Sequence, residues 1–292
     1  MSPPHPWMPV SPCGEGCLPA PDSVPVVGRV SWLLRLLAAA AMLLAGAALA
    51  ATLPRFGPDW ERTLRAWSRM LLKALRIQLV VTGGDRFGPP GVGVLVVSNH
   101  LSWLDPLALG AVQPLHMVAK SEMRTWPVIG LIARQADTVF VDRERLSALP
   151  QTVAAVSGVL ASGAAIGAFP EGTTWCGRSR GRFRPALFQA AVDTATPVRP
   201  VALRYCLAGI GTTTVASFVG SATLWESLAL VAGVRGLVVE VHLLPLLPSD
   251  GLDRRALAAG AQAIVTAAAP TLELWGSSLC ASRPIERNEV NL

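Results

Sequence analysis

The chain has 292 residues, of which 51% are hydrophobic and 15% are charged, and its mean hydropathy is positive at +0.45. Its net charge of +6 and pI of about 9.6 favour anionic partners such as phosphorylated small molecules, nucleic acid or an anionic membrane surface. Nucleic acid is the weakest of these, because the sequence has no zinc-finger spacing, no aromatic RNA-binding strand and no long basic run. The composition therefore favours a partner at or in a membrane.

Residues 1–28 are rich in proline and have little periodic apolar content, so we predict a disordered leader. The start of this leader has no basic cluster, which argues against a secretory signal. Cys13 and Cys17 lie in the leader without a second pair of ligands, and the sequence therefore predicts no metal site.

A long apolar segment follows the leader. Residues 36–53 are 18 consecutive uncharged, mostly apolar positions, which just reaches the length needed to cross the hydrocarbon core of a bilayer. We predict a membrane helix over residues 29–54, with a buried or re-entrant helix as the alternative. Because basic residues are more frequent after this helix than before it, the positive-inside rule places the downstream chain in the cytoplasm.

Residues 58–78 have the periodicity of an amphipathic helix. One face carries Trp60, Leu64, Trp67, Leu71 and Leu75, and the opposite face carries Arg62, Arg65, Arg69, Lys73 and Arg76. Tryptophans opposite a basic stripe are typical of a helix in the membrane interface, and we predict such an interfacial helix. The alternative is a helix packed on the following domain with its basic face in solvent.

From residue 79 onward, short apolar runs alternate with helical stretches. We predict strands at 78–82, 92–97, 115–119, 137–141, 164–169, 198–203 and 238–243, and helices at 105–111, 147–161, 185–194 and 254–268. This alternation predicts a single α/β domain over residues 79–275, with a central, largely parallel sheet flanked by helices. The chain then becomes polar, and we predict a flexible tail at 276–292.

The first candidate site is the segment VLVVSNHLSWLD, in which an apolar run typical of a buried strand ends in Asn99 and His100. Open α/β sheets bind ligands at the carboxyl ends of their strands. If His100 lies in the turn before the next helix, Asp105 can reach its Nδ1 and leave Nε2 to take a proton from a bound hydroxyl. Alternatively, Asp105 caps the helix that Pro106 begins and His100 is a buried structural histidine. The segment alone leaves both possibilities open.

Three further segments follow predicted strands. FPEGTT, at residues 169–174, is a turn whose backbone N–H groups and hydroxyls can hold an anion or a polyol, and a basic run with Arg178, Arg180, Arg182 and Arg184 follows it. FVDR places Arg143 one step past a strand, and Lys120 has the same position after another, so both are placed to bind phosphate. PVRPVAL is typical of a buried strand. Each segment alone also fits a plain turn or surface basic residues.

Taken together and in this order, NHLSWLD, FVDR, FPEGTT and PVRPVAL resemble the four motifs of the glycerolipid acyltransferases, over about residues 79–247. The chain is most similar to bacterial 1-acyl-sn-glycerol-3-phosphate acyltransferases, including relatives that act on lyso-ornithine lipids. The resemblance implies transfer of an acyl chain from acyl-CoA or acyl carrier protein, as co-substrate and without a cofactor, to the hydroxyl of a lysophospholipid acceptor. The product would be phosphatidic acid, and the enzyme would lie at the cell membrane with its catalytic domain on the cytoplasmic face.

The resemblance also implies residue roles. His100 would be the general base and Asp105 its orienting partner, with no acyl-enzyme intermediate. The substrate-binding residues would be Asn99, Lys120, Arg143, Glu171, Gly172, Thr173, Thr174 and Arg178. Two positions depart from the family pattern, because Thr174 stands where arginine or serine is common and Arg199 where an apolar residue is usual. They leave another lyso-lipid acceptor, such as lyso-ornithine lipid, or a non-catalytic lipid-binding role as alternatives.

Overall fold

The computed structural model describes residues 9–52, 58–143 and 145–269. The helices are α1 Arg29–Thr52, α2 Pro58–Ala74, α3 Asp105–Val112, α4 Ile129–Gln135, α5 Leu149–Ala161, α6 Phe188–Asp193, α7 Leu224–Gly233 and α8 Arg254–Ala268. The strands are β1 Gln78–Thr82, β2 Val94–Ser98, β3 His116–Lys120, β4 Val139–Val141, β5 Ala165–Ala168, β6 Val198–Leu207, β7 Gly211–Thr212 and β8 Leu237–Leu243.

These strands form one sheet in the order β1-β8-β6-β2-β5-β3-β4, with β7 paired to the far end of β6. The pairs β1–β8, β6–β2, β2–β5, β5–β3 and β3–β4 are parallel, whereas β6–β8 and β6–β7 are antiparallel. The predicted α/β class with a largely parallel sheet is therefore confirmed. Because β2 to β5 run in the same direction, their carboxyl ends meet at one edge of the sheet.

Helices cover both faces of the sheet and explain why β2 is apolar at every position. Val94 and Val96 point into a core shared with α1, α2, α3 and α7. Leu95 and Val97 point to the other side, into a core shared with α5, α6 and α8. A strand buried on both faces carries a continuous apolar run rather than an alternating one, which is what VLVV shows.

The amphipathic helix α2 is present, but its apolar face does not look outward. Leu71 and Leu75 are buried in the domain core, and the Trp67 indole N–H donates to the carbonyl of Met42 in α1 over 2.7 Å. This helix therefore packs on the domain through these residues, and its predicted location in the membrane interface stays a prediction. The helix also ends earlier than predicted, because Arg76 has a positive φ of 58° that turns the chain into β1.

Helix α1 lies against the domain along one side only. The Trp32 indole donates to the carbonyl of Ala229, and Arg35 donates to that of Val234, which ties α1 to the carboxyl end of α7. The opposite side leaves large apolar side chains exposed, namely Val30, Leu33, Leu34, Leu37 and Leu44. By length and composition α1 is able to cross a membrane. The last two residues of the predicted membrane helix, 53 and 54, lie outside the described residues.

Residues 9–28, which we predicted to be disordered, lie along the domain surface. Val27 donates its N–H to the carbonyl of Gly233, Arg235 donates to that of Pro25, and the Thr214 hydroxyl donates to that of Cys17 over 2.7 Å. The segment lacks periodic apolar residues that could pack on the domain, and hydrogen bonds from its backbone to the domain hold it in place instead. The rest of the leader, residues 1–8, and the predicted tail at 276–292 lie outside the described residues.

Candidate active site

His100 occupies the loop between the end of β2 and the start of α3, at the carboxyl edge of the sheet. Its Nδ1 lies 2.8 Å from Oδ2 of Asp105, the first residue of α3. An ionised carboxylate only accepts hydrogen bonds, so Nδ1 carries the proton and Nε2 keeps its lone pair. The predicted contact between the two side chains is therefore confirmed.

Asp105 is fully buried and is surrounded by donors. Its Oδ2 also accepts the backbone N–H groups of Leu101, at 2.6 Å, and Ser102, at 2.8 Å. Its Oδ1 accepts the hydroxyl of Tyr205 on β6, at 2.6 Å. Burial and the charge of Asp105 raise the pKa of Tyr205 well above its ordinary value, so the phenol remains a donor. Asp105 thus shapes the loop and orients the imidazole at the same time.

The ring of His100 is fixed on a second side by Phe169. The two rings stack with centroids 4.0 Å apart and an angle of 9° between their planes. The His100 side chain is 19% exposed, in contrast to the fully enclosed Asp105. The imidazole is therefore held by its edge and its face while still being accessible to a substrate.

Glu171 joins the His100 loop to the FPEGTT turn. Its Oε2 accepts the backbone N–H of His100 at 2.8 Å, and its Oε1 accepts that of Gly181 at 3.2 Å. Burial raises the pKa of Glu171 to about 7, although the two N–H groups and the nearby Arg180 charge oppose this shift. Both oxygens of Glu171 thus hold the loop in position, and its predicted substrate contact stays a prediction.

Basic side chains lie at this edge of the sheet, and one of them is close to Gly172. Gly172 turns the chain with a φ of 78°, and a Cβ atom built there would lie 3.6 Å from Nε of Arg184. Burial lowers the pKa of Arg143, which also feels the charges of Glu122 and Arg184. Lys120 lies beside Val141 in the register of β3 and β4, so it reaches the same edge of the sheet as Arg143. This cluster provides positive charge for an anionic group.

Two predicted binding residues instead have structural partners. The Asn99 amide donates to the carbonyl of Leu203 at 2.9 Å and accepts its N–H at 2.8 Å, which fixes β2 to β6. The Thr174 hydroxyl donates to the carbonyl of Phe218. These contacts hold backbone segments together, and the predicted substrate contacts of the two side chains stay predictions.

The remaining positions are easily placed. Thr173 is half-buried in the FPEGTT turn, and Arg178 is exposed beyond it. Arg199 donates to the carbonyls of Phe87 and Leu244, both at 2.6 Å, so it clamps the opposite end of the sheet from His100. Its departure from the family pattern therefore has a local structural explanation.

Sequence reasoning missed three residues of the site. Tyr205 is the single tyrosine of the chain and gave no signal, since a lone aromatic residue in a strand is normally core. Arg180 and Arg184 were named only as members of the basic run after FPEGTT, and no individual position in the site was predicted for either of them. The turn brings Arg180 to Glu171 and Arg184 to Gly172, which the spacing of the run does not reveal.

Comparison with known proteins identifies the family. Residues 79–204 match the family model described as acyltransferase, a segment that includes His100, Asp105 and the FPEGTT turn. The lyso-ornithine lipid O-acyltransferase of Pseudomonas aeruginosa is 37% identical over 224 residues, which cover 73% of this chain and 83% of that protein. The chain belongs to the acyltransferase family.

One more relative and one solved structure are similar to this chain. The 1-acyl-sn-glycerol-3-phosphate acyltransferase of Neisseria gonorrhoeae is 42% identical over 113 residues, which cover 39% of this chain and 44% of that protein. The crystal structure of the 1-acyl-sn-glycerophosphate acyltransferase PlsC from Thermotoga maritima shares the fold, with a TM-score of 0.63 at 20% identity. That match covers 85% of this chain and 97% of the PlsC chain.

Proposed function

We propose that this acyltransferase moves an acyl chain from a thioester donor, acyl-CoA or acyl carrier protein, to the free hydroxyl of a lyso-lipid. The observation that carries the proposal is the His100–Asp105 pair, in which Nδ1 contacts the carboxylate and the imidazole side chain is 19% exposed. Nε2 takes the proton of the acceptor hydroxyl as its oxygen attacks the thioester carbonyl. The tetrahedral intermediate then expels the thiolate, and the imidazolium of His100 gives the proton to this leaving group.

The serines near His100 support transfer in a single displacement, without an acyl-enzyme. Ser98 and Ser102 each lie two residues from His100 and are fully buried. The Ser98 hydroxyl donates to the carbonyl of Asn99 at 2.8 Å, and Oγ of Ser102 accepts the N–H of Leu104 at 3.3 Å. A buried hydroxyl already used within the loop is a poor nucleophile. The acceptor hydroxyl, activated in place, makes such a nucleophile unnecessary.

The proposed acceptor is 1-acyl-sn-glycerol-3-phosphate, which would give phosphatidic acid for phospholipid synthesis. Lys120, Arg143 and Arg184 supply positive charge at this edge of the sheet, and a phosphate monoester has the charge that such side chains bind best. The relative from Neisseria gonorrhoeae, which bears the name of this activity, supports the proposal.

A second acceptor, lyso-ornithine lipid, has its own support. The relative from Pseudomonas aeruginosa bears this activity in its name and aligns over 73% of the chain. Thr174 also ends the FPEGTT turn where many glycerolipid acyltransferases carry arginine or serine, which removes one phosphate contact. Both acceptors offer a free hydroxyl to the same base, so the proposed mechanism is common to them.

An acceptor panel separates these possibilities. The full chain in detergent micelles would be supplied with palmitoyl-CoA or palmitoyl carrier protein, and with lysophosphatidate, lyso-ornithine lipid or glycerol-3-phosphate. We expect kcat/KM to be highest for lysophosphatidate, whereas a preference for lyso-ornithine lipid would assign the second acceptor. Absence of turnover above background with every pair would contradict acyl transfer and leave a lipid-binding role.

We also propose that the protein lies at the cell membrane, with its catalytic domain on the cytoplasmic face. The exposed apolar side of α1, which includes Leu33, Leu34 and Leu37, supports membrane contact. The basic residues that follow α1 in the sequence support the cytoplasmic side. In this arrangement the product has a short path from the enzyme back to the bilayer.

A further inference from the structure

Three cysteine side chains meet at one point beside the candidate active site. The Sγ atoms of Cys13, Cys17 and Cys176 all lie within 4.8 Å of one another. Cys13 and Cys17 come from the N-terminal segment, and Cys176 follows the FPEGTT turn. Cys13 and Cys176 are 8% and 2% exposed, whereas Cys17 is half-buried. The sequence predicted no metal site because the third thiol is distant in sequence and only the fold supplies it.

Local backbone structure holds each thiol in place. The N–H of Cys17 donates to the carbonyl of Gly14 at 2.9 Å, closing a short 3-10 turn that brings Cys17 back towards Cys13. The Ser217 hydroxyl donates to the carbonyl of Cys176 at 3.2 Å, as the Thr214 hydroxyl does to that of Cys17. The three thiols are therefore positioned by backbone contacts, and their convergence does not depend on flexible side chains.

The surroundings also suit a thiolate. The backbone N–H of Cys176 points at the sulfur of Cys13 over a distance of 3.4 Å. Such N–H groups stabilise negative charge on sulfur and are common in metal–thiolate centres. Val219, Trp175 and Leu18 pack around the cluster and shield it from bulk water.

We propose that Cys13, Cys17 and Cys176 form a binding site for a thiophilic cation of the Zn²⁺ class. Three sulfur atoms bound to zinc at about 2.3 Å lie roughly 3.8 Å apart in tetrahedral geometry, so only a small contraction of the cluster is needed. The three cysteines are free thiols, and soft thiolate sets select such cations over Mg²⁺ or Ca²⁺. Binding releases the thiol protons to solvent, and a water molecule completes the coordination on the half-exposed side of Cys17.

A cation bound by the three cysteines would link the N-terminal segment to the loop that carries Glu171. In that loop Trp175, next to Cys176, donates its backbone N–H to the carbonyl of His100 at 2.8 Å. The N-terminal segment also reaches the Gly172 turn, because a Cβ atom built on Gly172 would lie 2.8 Å from Cγ of Pro9. Metal binding therefore orders a segment that crosses the edge of the candidate active site. This inference rests on the thiol cluster and is independent of the proposed reaction.

The experiment uses the full chain in detergent, reduced and stripped of metal with a chelator. Titration with Co²⁺ is expected to give a thiolate-to-cobalt charge-transfer band that saturates at about one equivalent, and added Zn²⁺ should bleach it. The variants C13S, C17S and C176S should each weaken Co²⁺ binding by at least about tenfold. The control variant D22N, which changes an exposed residue of the same segment outside the cluster, should leave the titration unchanged.

Limited proteolysis of the N-terminal segment supplies a second measurement. Zn²⁺ should protect this segment in the wild type and in D22N. It should not protect the segment in C17S, which changes the least buried of the three cysteines and is therefore the least disruptive substitution. The proposal is overturned if no charge-transfer band appears, if the band survives all three substitutions, or if mass spectrometry finds the cluster thiols joined as a disulfide. None of these readouts depends on acyl transfer, so failure here is separate from failure of the proposed function.

Discussion

Tyr205 contributes to the site through its hydroxyl oxygen. Its hydroxyl donates to Oδ1 of Asp105, the oxygen that does not touch His100. Hydrogen bonds to charged groups contribute about 1.5–3 kcal/mol, and phenylalanine would keep the volume of the buried ring. We expect Y205F to lower kcat by roughly tenfold or more, because Asp105 would orient His100 less well, while KM for the acceptor stays near the wild-type value.

A structural role of Tyr205 alone would not change the pH dependence of the reaction. Without the phenol, the charge of Asp105 is less shared and stabilises the imidazolium more strongly. The acidic limb of kcat/KM should therefore move to higher pH in Y205F. A profile that overlays the wild type after scaling would contradict a positioning role.

Glu171 gives the folded state a pH dependence of its own. Its pKa is raised from 4.5 to about 7 by burial, so the folded protein keeps a proton that the unfolded chain has already lost. The free energy of unfolding should therefore fall as pH rises from about 4.5 to 7, and this contribution should level off above that. Urea unfolding at several pH values should show a flatter dependence in E171Q than in the wild type. Equal slopes would mean that Glu171 is not the group responsible.

At the residue scale, the sequence predicted side-chain contacts between residues a few positions apart. It did not reveal contacts between residues that are distant in sequence. His100 and Asp105 are five positions apart in a strand-to-helix turn, so their contact follows from the chain itself. Asn99 and Thr174 form hydrogen bonds to Leu203 and Phe218, partners that no local pattern connects to them, and their predicted contacts with substrate stay predictions. The hydrogen-bond partners of polar side chains in such motifs therefore become known only from the three-dimensional structure.

At the scale of elements, the contact between α1 and α2 depends on one glycine. A Cβ atom built on Gly46 would lie 2.5 Å from Nε1 of Trp67. We expect G46V to separate the helices and to lower stability by about 1–3 kcal/mol, the usual cost of overpacking. The matched control A40V alters an exposed position of the same helix and should change stability by less than about 0.5 kcal/mol. Equal thermal unfolding midpoints for the two variants would contradict this packing.

Most strands were predictable because their apolar runs are short and bounded, whereas two helices were missed. Helix α7 begins with a capping box in which the Thr223 hydroxyl accepts the N–H of Glu226 and the Glu226 carboxylate accepts the N–H of Thr223. The residues of this capping box can be read in the sequence. The helix was nevertheless not predicted, because it is apolar on most sides and lacks the periodicity of an amphipathic helix. Helix α4 is only about two turns long. It follows Val128, which has a φ of 62°, and no sequence pattern predicts that conformation for a valine. The antiparallel pairing of β8 with β6 was also not predictable, because it depends on tertiary packing.

At the scale of the whole molecule, the exposed side of α1 sets how the protein meets a membrane. Burying each leucine in lipid contributes about 1.5–3 kcal/mol. We expect the double variant L34D/L37D to bind anionic vesicles at least tenfold more weakly in a sedimentation assay. The control L252D changes an exposed leucine far from α1 in sequence and should bind as the wild type does. Unchanged binding of the double variant would exclude this side of α1 as the membrane contact.

The central claim is that His100 removes the proton from the acceptor hydroxyl. The most direct measurement compares H100A with the wild type in acyl transfer from palmitoyl-CoA to the best acceptor of the panel. Since a positioned base contributes about 10²–10⁴-fold to rate, kcat/KM should fall by that factor while the folded state and acceptor binding persist. If H100A transferred the acyl chain as fast as the wild type, the assignment of His100 as the base would be wrong.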